Sequence, residues 1–152
     1  MTPNKEDYLK CIYEIGTEEG KISNKEIANR MQVSPPAVTE MIKKLISEDL
    51  IIKDKAKGYL LTETGTINIA ELYRKHRLIE VFLVDHLQYT CDLIHQEAEI
   101  LEHTVSEHFI NALDRLLNYP QTCPHGGQIP KSGQLLSLYT SLMARGRRVD
   151  LG

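Results

Sequence analysis

The sequence predicts a mainly α-helical protein with one small β-hairpin. Apolar residues recur at the spacing of amphipathic helices over most of the chain, for example at Leu9, Ile12 and Ile15. Serines stand where two helices would begin, and two short β-prone runs flank a charged turn that ends at Gly58. With 152 residues, of which 41% are hydrophobic, the chain can form one good core or two small domains.

The composition restricts the class of protein. No apolar run reaches the length of a transmembrane helix, and residues 1–7 are too polar to open a signal peptide. The three cysteines, Cys11, Cys91 and Cys123, are an odd number and widely spaced, unlike a disulfide framework. We therefore expect a cytoplasmic protein that does not associate with a membrane.

Two capped helices lie close together in the N-terminal part of the chain. Ser23 opens a Ser-x-x-Glu capping box, and Ser34 caps the next helix, whose first turn holds two prolines. About three residues separate the two helices, which is the spacing of a helix-turn-helix. The hairpin of residues 50–62 follows directly and would be its wing. The sequence thus predicts a winged helix-turn-helix DNA-binding domain over residues 1–63.

The second helix of such a motif enters the major groove with its N-terminal residues. Here these residues are small and offer no bidentate contact to guanine, so we expect modest direct readout of bases. They are Ser34, Pro35, Pro36, Ala37, Val38 and Thr39. Five lysines are predicted to contact phosphates, namely Lys43, Lys44, Lys53, Lys55 and Lys57. Because acidic and basic residues balance over residues 1–62, the alternative is that these lysines form an ordinary solvated face.

An all-helical domain is predicted over residues 64–140. Its helices would cover about residues 65–88, 92–104 and 106–117, followed by a loop rich in proline and glycine. The first of these helices has a dense apolar face that we expect to be buried, made of Ile67, Leu72, Leu78, Ile79, Phe82 and Leu83. The third carries Phe109, Leu113 and Leu116 on one side. Residues 141–152 would form a tail.

The segment EAEILEH, residues 97–103, lies in the most acidic part of the chain. Residues 63–110 hold nine acidic residues and three basic ones, and crowded anions repel each other unless a cation is present. Two carboxylates and two imidazoles of this part fall on one side of a helix, namely His95, Glu99, Glu102 and His103. Such a stripe is either a solvated acidic face or a set of metal ligands.

Two further pairs favour the metal interpretation. His76 and Glu80 are four residues apart and share a helix face, and Cys123 and His125 flank a proline. Carboxylates with imidazoles suit Mn²⁺ or Fe²⁺, although Zn²⁺ would also bind. The thiol pair is softer and suits Zn²⁺ or Cd²⁺.

Residues 4–135 resemble the metal-dependent transcriptional regulators typified by the diphtheria toxin repressor and the manganese transport regulator. The resemblance rests on five segments, EDYLKCIYEI, VSPPAVTEMIKKL, GYLLTETG, YRKHRLIEVFL and HQEAEILEHTVSE. The nearest likeness is to the manganese-dependent repressors of streptococci. It implies a homodimer that represses metal-uptake genes by binding a palindromic DNA operator.

The resemblance also implies ligand sets. One metal site would consist of Asp7, Glu99, Glu102 and His103, with His76 adjacent. Iron-type members carry methionine and cysteine where this chain has Asp7 and Glu99, so the acidic pair resembles the manganese type. His76, Glu80 and His95 match ancillary-site positions of the iron-type branch.

Two departures from the family pattern change the expected sites. Lys10 stands where dinuclear manganese regulators have a second acidic ligand, which argues against a tight binuclear cluster. We expect instead a separate second site of Glu80, Cys123 and His125. Longer relatives continue into an SH3-like domain, which we expect to be absent here.

The expected mechanism is a metal switch in which a cation joins Asp7 of the first domain to ligands of the second and so orders the dimer for DNA. The first rival is a winged-helix regulator that senses oxidation through Cys11, Cys91 or Cys123. The second is a carboxylate-histidine metallohydrolase. Neither a phosphate-cradling glycine loop nor a nucleophile-base pair is apparent. We therefore expect neither an enzyme nor a small organic ligand.

Overall fold

The computed structural model describes residues 3–18 and 20–132. The helices are α1 (Pro3–Thr17), α2 (Asn24–Met31), α3 (Pro35–Ser47), α4 (Glu63–Asp85), α5 (Cys91–Leu101) and α6 (Glu107–Leu116), and the strands are β1 (Ile51–Asp54) and β2 (Gly58–Leu61). The prediction of a mainly helical fold with one hairpin is confirmed. The predicted tail and residues 133–140 lie outside the described residues. Within the described ranges, no helix is both long and apolar enough to cross a bilayer.

The chain divides into two compact units, one ending at Ile69 and one beginning at Ala70. In the first unit, α1 packs on α2, α2 on α3, and α3 on β1. Both predicted caps form, since Ser23 Oγ accepts from the Glu26 amide at 3.1 Å and Ser34 Oγ from the Ala37 amide at 3.3 Å. The interior is aliphatic, and its most buried members include Leu9, Ile12, Ile15, Ile27, Val38, Leu45 and Ile51.

The hairpin is antiparallel and is tied to the helix pair at its turn. Ile51 pairs with Leu61 and Asp54 with Gly58. The Ile22 amide, just before α2, donates to the Lys57 carbonyl at 2.8 Å. The Tyr59 hydroxyl donates to Asn24 Oδ1 at 2.6 Å, so the wing and α2 are joined by both backbone and side chain.

The second unit has its own aliphatic core. The buried residues come from α4, α5, α6 and the loop after α6, and they are Leu78, Ile79, Val81, Leu83, Ile94, Ala98, Ile110, Leu113, Cys123 and Ile129. The loop is held by a bridge between Thr122 and Gln128 and by the Ile129 amide, which donates to the Gln121 carbonyl at 2.9 Å. A partly buried ion pair between Arg74 Nη2 and Asp114 Oδ2, 3.1 Å apart, links α4 to α6.

One prediction about a buried face is wrong, because Ile67 is 45% exposed. On α6 the apolar side noted in the sequence is not the buried one, since Phe109 and Leu116 are 49% and 60% exposed while Ile110 is fully buried. The residues of α6 fit two overlapping apolar faces, and periodicity does not rank one face above the other. On α4 the prediction holds for Leu72, Leu78, Ile79 and Leu83, whereas Phe82 is only partly buried. That helix also ends at Asp85, three residues early, because Gln88 turns into the left-handed region with φ of 55°.

Gly58 at the wing turn allows a direct test of this packing. It has φ of +88°, and a Cβ there would lie 2.0 Å from the Ile22 carbonyl oxygen. An alanine at this position would have a strained backbone, and its Cβ would overlap the Ile22 carbonyl oxygen. We therefore expect Gly58→Ala to lower the free energy of unfolding by about 3 kcal/mol or more. Gly126→Ala is the matched control, because Gly126 has φ of +87° but no neighbour within 4 Å. The control should lose only about 1 kcal/mol from strain in urea denaturation, and equal losses would contradict the overlap argument.

Candidate metal centre and nucleic-acid surface

A carboxylate buried in the second unit is surrounded by nitrogen and sulfur donors. Glu80, on α4, is 2% exposed, and His76, one turn earlier on the same face, is 5% exposed. His76 Nε2 lies 3.0 Å from Glu80 Oε2. The four-residue spacing thus places both side chains on the inner face of α4, as predicted.

Helix α5 adds a second imidazole to Glu80. His95 Nδ1 lies 3.7 Å from Glu80 Oε2, and its Nε2 lies 3.1 Å from Glu99 Oε1 on the next turn of α5. The rings of His76 and His95 meet edge to face, with centroids 4.9 Å apart. Unlike Glu80, the His95 side chain is 58% exposed, so one side of this group is open to solvent.

The loop after α6 approaches the other oxygen of Glu80. His125 Nδ1 lies 3.4 Å from Glu80 Oε1, and Cys123 is buried beside it. The tight turn between them is closed by two hydrogen bonds. The Gly126 amide donates to the Cys123 carbonyl at 2.8 Å, and the Cys123 amide donates to the Gly127 carbonyl at 2.9 Å. The thiol and the imidazole that flank a proline in the sequence therefore both lie next to one carboxylate, that of Glu80.

These residues form two ligand groups that share Glu80. His76, Glu80 and His95 form one group, and Glu80, Cys123 and His125 form the other; within each, the ligand atoms lie within 4.8 Å of one another. Burial acts to raise the pKa of the Glu80 carboxyl, but hydrogen bonds and attraction from His76 and His125 outweigh it and leave that pKa below its usual value. An ionised carboxylate with soft and borderline donors on either side is suited to bind a divalent cation.

Glu102 is the most buried acidic residue of the stripe on α5. Its side chain is fully buried, Oε1 lies 2.5 Å from His76 Nδ1, and Oε2 lies 3.5 Å from His103 Nε2. Glu99, one turn earlier, is 40% exposed. The predicted stripe therefore runs from a solvated end to a buried end.

Asp7 lies on α1 in the first unit and is partly exposed.

The first unit presents a polar surface formed by α3 and the wing. Ser34, Pro35, Pro36, Ala37 and Thr39 are exposed at the start of α3, together with Lys43 and Lys44 on the same helix and Lys53 and Lys55 in the wing. Lys57 is partly buried. Val38 is 0% exposed, so its predicted contact with bases is wrong. Its place on α3 turns its side chain into the core of the unit.

The structure adds two residues to this surface that sequence patterns did not single out. Asn24 and Tyr59 line a cavity of about 380 Å³ between α3 and the wing, beside Thr39, Lys43 and Lys53. Burial raises the pKa of the Tyr59 hydroxyl, although its hydrogen bond to Asn24 acts to lower it. Asn24 belongs to no periodic pattern, and Tyr59 lies in a β-prone run that does not mark it as part of this surface, so only the close approach of the hairpin to α2 reveals their pairing.

The three cysteines differ in environment, which bears on the redox alternative. Cys11 is 5% exposed, and burial together with the nearby Glu14 raises the pKa of its thiol to about 11, whereas Cys91 is exposed.

We expect iodoacetamide at pH 8 to alkylate Cys91 within minutes and to leave Cys11 unmodified in the native protein, since only roughly one part in a thousand of Cys11 would be thiolate. Mass spectrometry of labelled peptides measures this, with urea-unfolded protein as the control. Rapid native labelling of Cys11 would reopen the oxidation hypothesis for that residue.

Comparison with protein families gives two adjacent matches. Residues 1–59 match the N-terminal DNA-binding domain of iron-dependent repressors, and residues 62–131 match the metal-binding and dimerisation domain of the same group. Together these cover nearly all of the residues described above.

Individual relatives agree with these matches. The regulator MntR of Bacillus subtilis is 33% identical over 122 residues, which cover 78% of this chain and 82% of that protein. The iron-dependent repressor IdeR of Mycobacterium tuberculosis is 34% identical over 130 residues, covering 86% of this chain but only 56% of its own length. This chain thus spans little more than half the length of the iron-dependent repressors it matches.

A solved structure gives higher identity. The structure of ScaR with bound Zn²⁺ has 68% sequence identity and a TM-score of 0.83, covering 87% of this chain and 62% of that one. ScaR has also been solved with Cd²⁺ and in its apo form, and it is described as a manganese-activated repressor.

Proposed function

Because this chain belongs to the iron-dependent repressor family, we propose that it is a metal-dependent transcriptional repressor whose physiological co-repressor is Mn²⁺. In this proposal residues 1–63 bind DNA, and residues 64–140 bind metal and dimerise. The protein acts in the cytoplasm, catalyses no reaction and takes no small organic ligand. Its operator would be a palindrome that controls metal-uptake genes.

The observation that carries the proposal is the burial of Glu102 at the end of α5. The residue is the C-cap of that helix and is 0% exposed. A buried carboxylate costs several kcal/mol of desolvation unless it is paired, and the C-terminal end of a helix carries partial negative charge that adds to the cost. His76 and His103 border it within the second unit, and a divalent cation would compensate the charge more fully than imidazoles do.

We assign the principal site to Asp7, Glu99, Glu102 and His103. Three oxygen donors and one imidazole suit Mn²⁺, which prefers carboxylate ligands. Fe²⁺ is the alternative ion for that site, and we assign a second site to Glu80, Cys123 and His125, where the thiol favours Zn²⁺ or Cd²⁺. Support for these metals comes from the relative ScaR, which has been solved with Zn²⁺ and with Cd²⁺.

The proposed switch joins Asp7 of the first unit to ligands of the second. Without metal the carboxylates repel each other, so the orientation of the DNA-binding unit is not fixed. Metal at 100 times its Kd would favour the ordered state by about 2.7 kcal/mol, roughly a hundredfold in population, if it binds that state alone.

A homodimer would present two copies of α3 about 34 Å apart, in successive major grooves of the palindrome. Five large apolar side chains of the second unit are exposed, and we propose that the dimer interface is formed from among them. They are Leu87, Leu93, Ile100, Phe109 and Leu116, each at least 49% exposed.

The principal site is tested by Glu99→Ala. We expect this variant to weaken Mn²⁺-dependent binding to a labelled pool of AT-rich palindromic duplexes by more than the roughly 10–100-fold that loss of an outer-shell partner costs. Fluorescence anisotropy in EDTA and then with stepwise Mn²⁺ measures the effect. Glu97→Ala removes the same charge from the same helix but not from the proposed site, and it should behave as wild type. Equal loss in both variants would indicate a general charge effect, and binding that responds to peroxide but not to Mn²⁺ would support the redox rival.

The phosphate contacts are tested by the salt dependence of binding. Lys44→Ala should weaken binding and reduce the slope of log affinity against log salt concentration by about 0.9 for each phosphate that the lysine neutralises in the wild type. Lys75→Ala, on α4 of the second unit, is the control and should leave the slope unchanged. An unchanged slope for Lys44→Ala would mean that Lys44 belongs to a solvated face rather than to the DNA interface.

A further inference from the structure

The cavity between α3 and the wing has an excess of positive charge. In the part of the chain that the structure describes, eight residues of α2, α3 and the wing line its volume of about 380 Å³. Lys43 and Lys53 are among them, and none of the eight is acidic. Ile42 and Ile46 give one part of the lining an apolar character. A cavity with two cations and no carboxylate is suited to hold an anion that carries an apolar group.

The hydroxyl groups around this cavity are already engaged. Thr39 Oγ1 and Ser47 Oγ each donate to a carbonyl about one turn earlier in α3, at 3.2 Å and 2.8 Å. The Tyr59 hydroxyl donates to Asn24 Oδ1 at 2.6 Å. Among the side chains that line the cavity, the donors that remain for an anion are therefore the amide of Asn24 and the two lysines.

Tyr59 fixes the orientation of the Asn24 amide. Because the carboxamide oxygen accepts from Tyr59, the amide presents its NH₂ group, with two donors, to an incoming ligand. Asn24 is also the first residue of α2, where the end of the helix adds partial positive charge. A donor that is already oriented loses less side-chain entropy when a ligand binds.

We propose that Asn24 donates to a phosphate of the DNA backbone in the cavity between α3 and the wing, and that Tyr59 is the positioning residue that orients its amide. Lys43 and Lys53 flank that phosphate, and the apolar part of the lining contacts the adjoining deoxyribose. Contacts of this kind fix the register of a protein on the duplex. This inference rests on the proposed DNA-binding function and deepens it, because it adds a neutral contact to those of the lysines.

Asn24→Ala and Tyr59→Phe test the contact without changing the charge of the protein. Affinity is measured by anisotropy of the AT-rich palindromic duplexes with the full chain at saturating Mn²⁺. We expect Asn24→Ala to weaken binding about tenfold, since it removes a hydrogen bond to a charged group. Tyr59→Phe should weaken it about fivefold, since Asn24 keeps its donors but loses its fixed orientation. Ser47→Ala changes the same cavity at a hydroxyl that is already engaged, and as the matched control it should bind as wild type.

A double-variant cycle separates positioning from a direct role of Tyr59. In an Asn24→Ala background, Tyr59→Phe should have almost no further effect, because the amide that the hydroxyl orients is gone. An undiminished loss in that background would show that Tyr59 acts without Asn24 and would overturn its role as a positioning residue.

Salt dependence distinguishes a neutral contact from a displaced wing. Both single variants should keep the wild-type slope of log affinity against log salt concentration, whereas Lys53→Ala should reduce it by about 0.9 for each phosphate that the lysine neutralises. A reduced slope in Tyr59→Phe would mean that the lysines of the wing have moved, and the effect of Tyr59 would then be structural.

Asn24→Asp keeps the acceptor for the Tyr59 hydroxyl and therefore the anchor of the wing, but it replaces the NH₂ donors with a charged oxygen. It should bind DNA more weakly than Asn24→Ala. Thermal melts check that each variant is folded. Inorganic phosphate at millimolar concentration and constant ionic strength tests the other source of the anion. Competition by phosphate in wild type but not in Asn24→Ala would assign the cavity to a free anion and overturn the DNA contact.

The outcomes separate this inference from the function on which it rests. A wild-type protein that binds no duplex with Mn²⁺ would overturn both. Mn²⁺-dependent binding that persists at wild-type affinity in Asn24→Ala and Asn24→Asp would overturn only the role of Asn24.

Discussion

The structure of the second unit depends on the enclosure of two carboxylates, Glu80 and Glu102, around His76. Each of these acids is at most 2% exposed, and an unpaired charge at such depth would cost several kcal/mol. Three elements supply the compensation. Helix α4 contributes His76, and α5 contributes His95. His103 lies just after the end of α5, and the loop after α6 contributes His125. The packing of these elements therefore fixes the donor geometry, and a bound cation would in turn stabilise the packing of the three elements.

The first unit meets a different requirement, which is to hold α3 and the wing as one surface. The backbone contact between Ile22 and Lys57 and the side-chain contact between Asn24 and Tyr59 join the hairpin to the start of α2. The helix pair and the hairpin are thereby constrained to move together. Such rigidity suits the proposal that this unit contacts DNA mainly through phosphates, because the cations of α3 and of the wing are then held at fixed distances from one another.

Much of this architecture follows from local sequence signals. Serine caps at Ser23 and Ser34 act over three residues, and the pairing of His76 with Glu80 acts over one helical turn, so a single helix is enough to predict either. Contacts between elements follow no such rule. The approach of Glu102 to His76 spans 26 residues, and that of His125 to Glu80 spans 45, so sequence patterns predicted ligand groups without indicating which atoms meet. Val38 is a different case, because it shares one helical face with Met41, Ile42 and Leu45, all buried, so the apolar periodicity of α3 alone would have assigned it to the core.

The gradient of exposure along α5 is the feature that best fits a sensor rather than a structural metal site. His95 and Glu99 are 58% and 40% exposed, whereas Glu102 is completely buried. An ion sealed on all sides exchanges slowly and records no change in supply, and an ion held only at the surface binds too weakly to order a protein. A ligand set with one solvated edge and one buried carboxylate avoids both outcomes. In the proposed site the exposed Glu99 would release or admit an ion, while Glu102, which contacts His76, would couple the presence of that ion to the core of the unit. The two roles would then lie one turn apart, on α5 and at its C-cap.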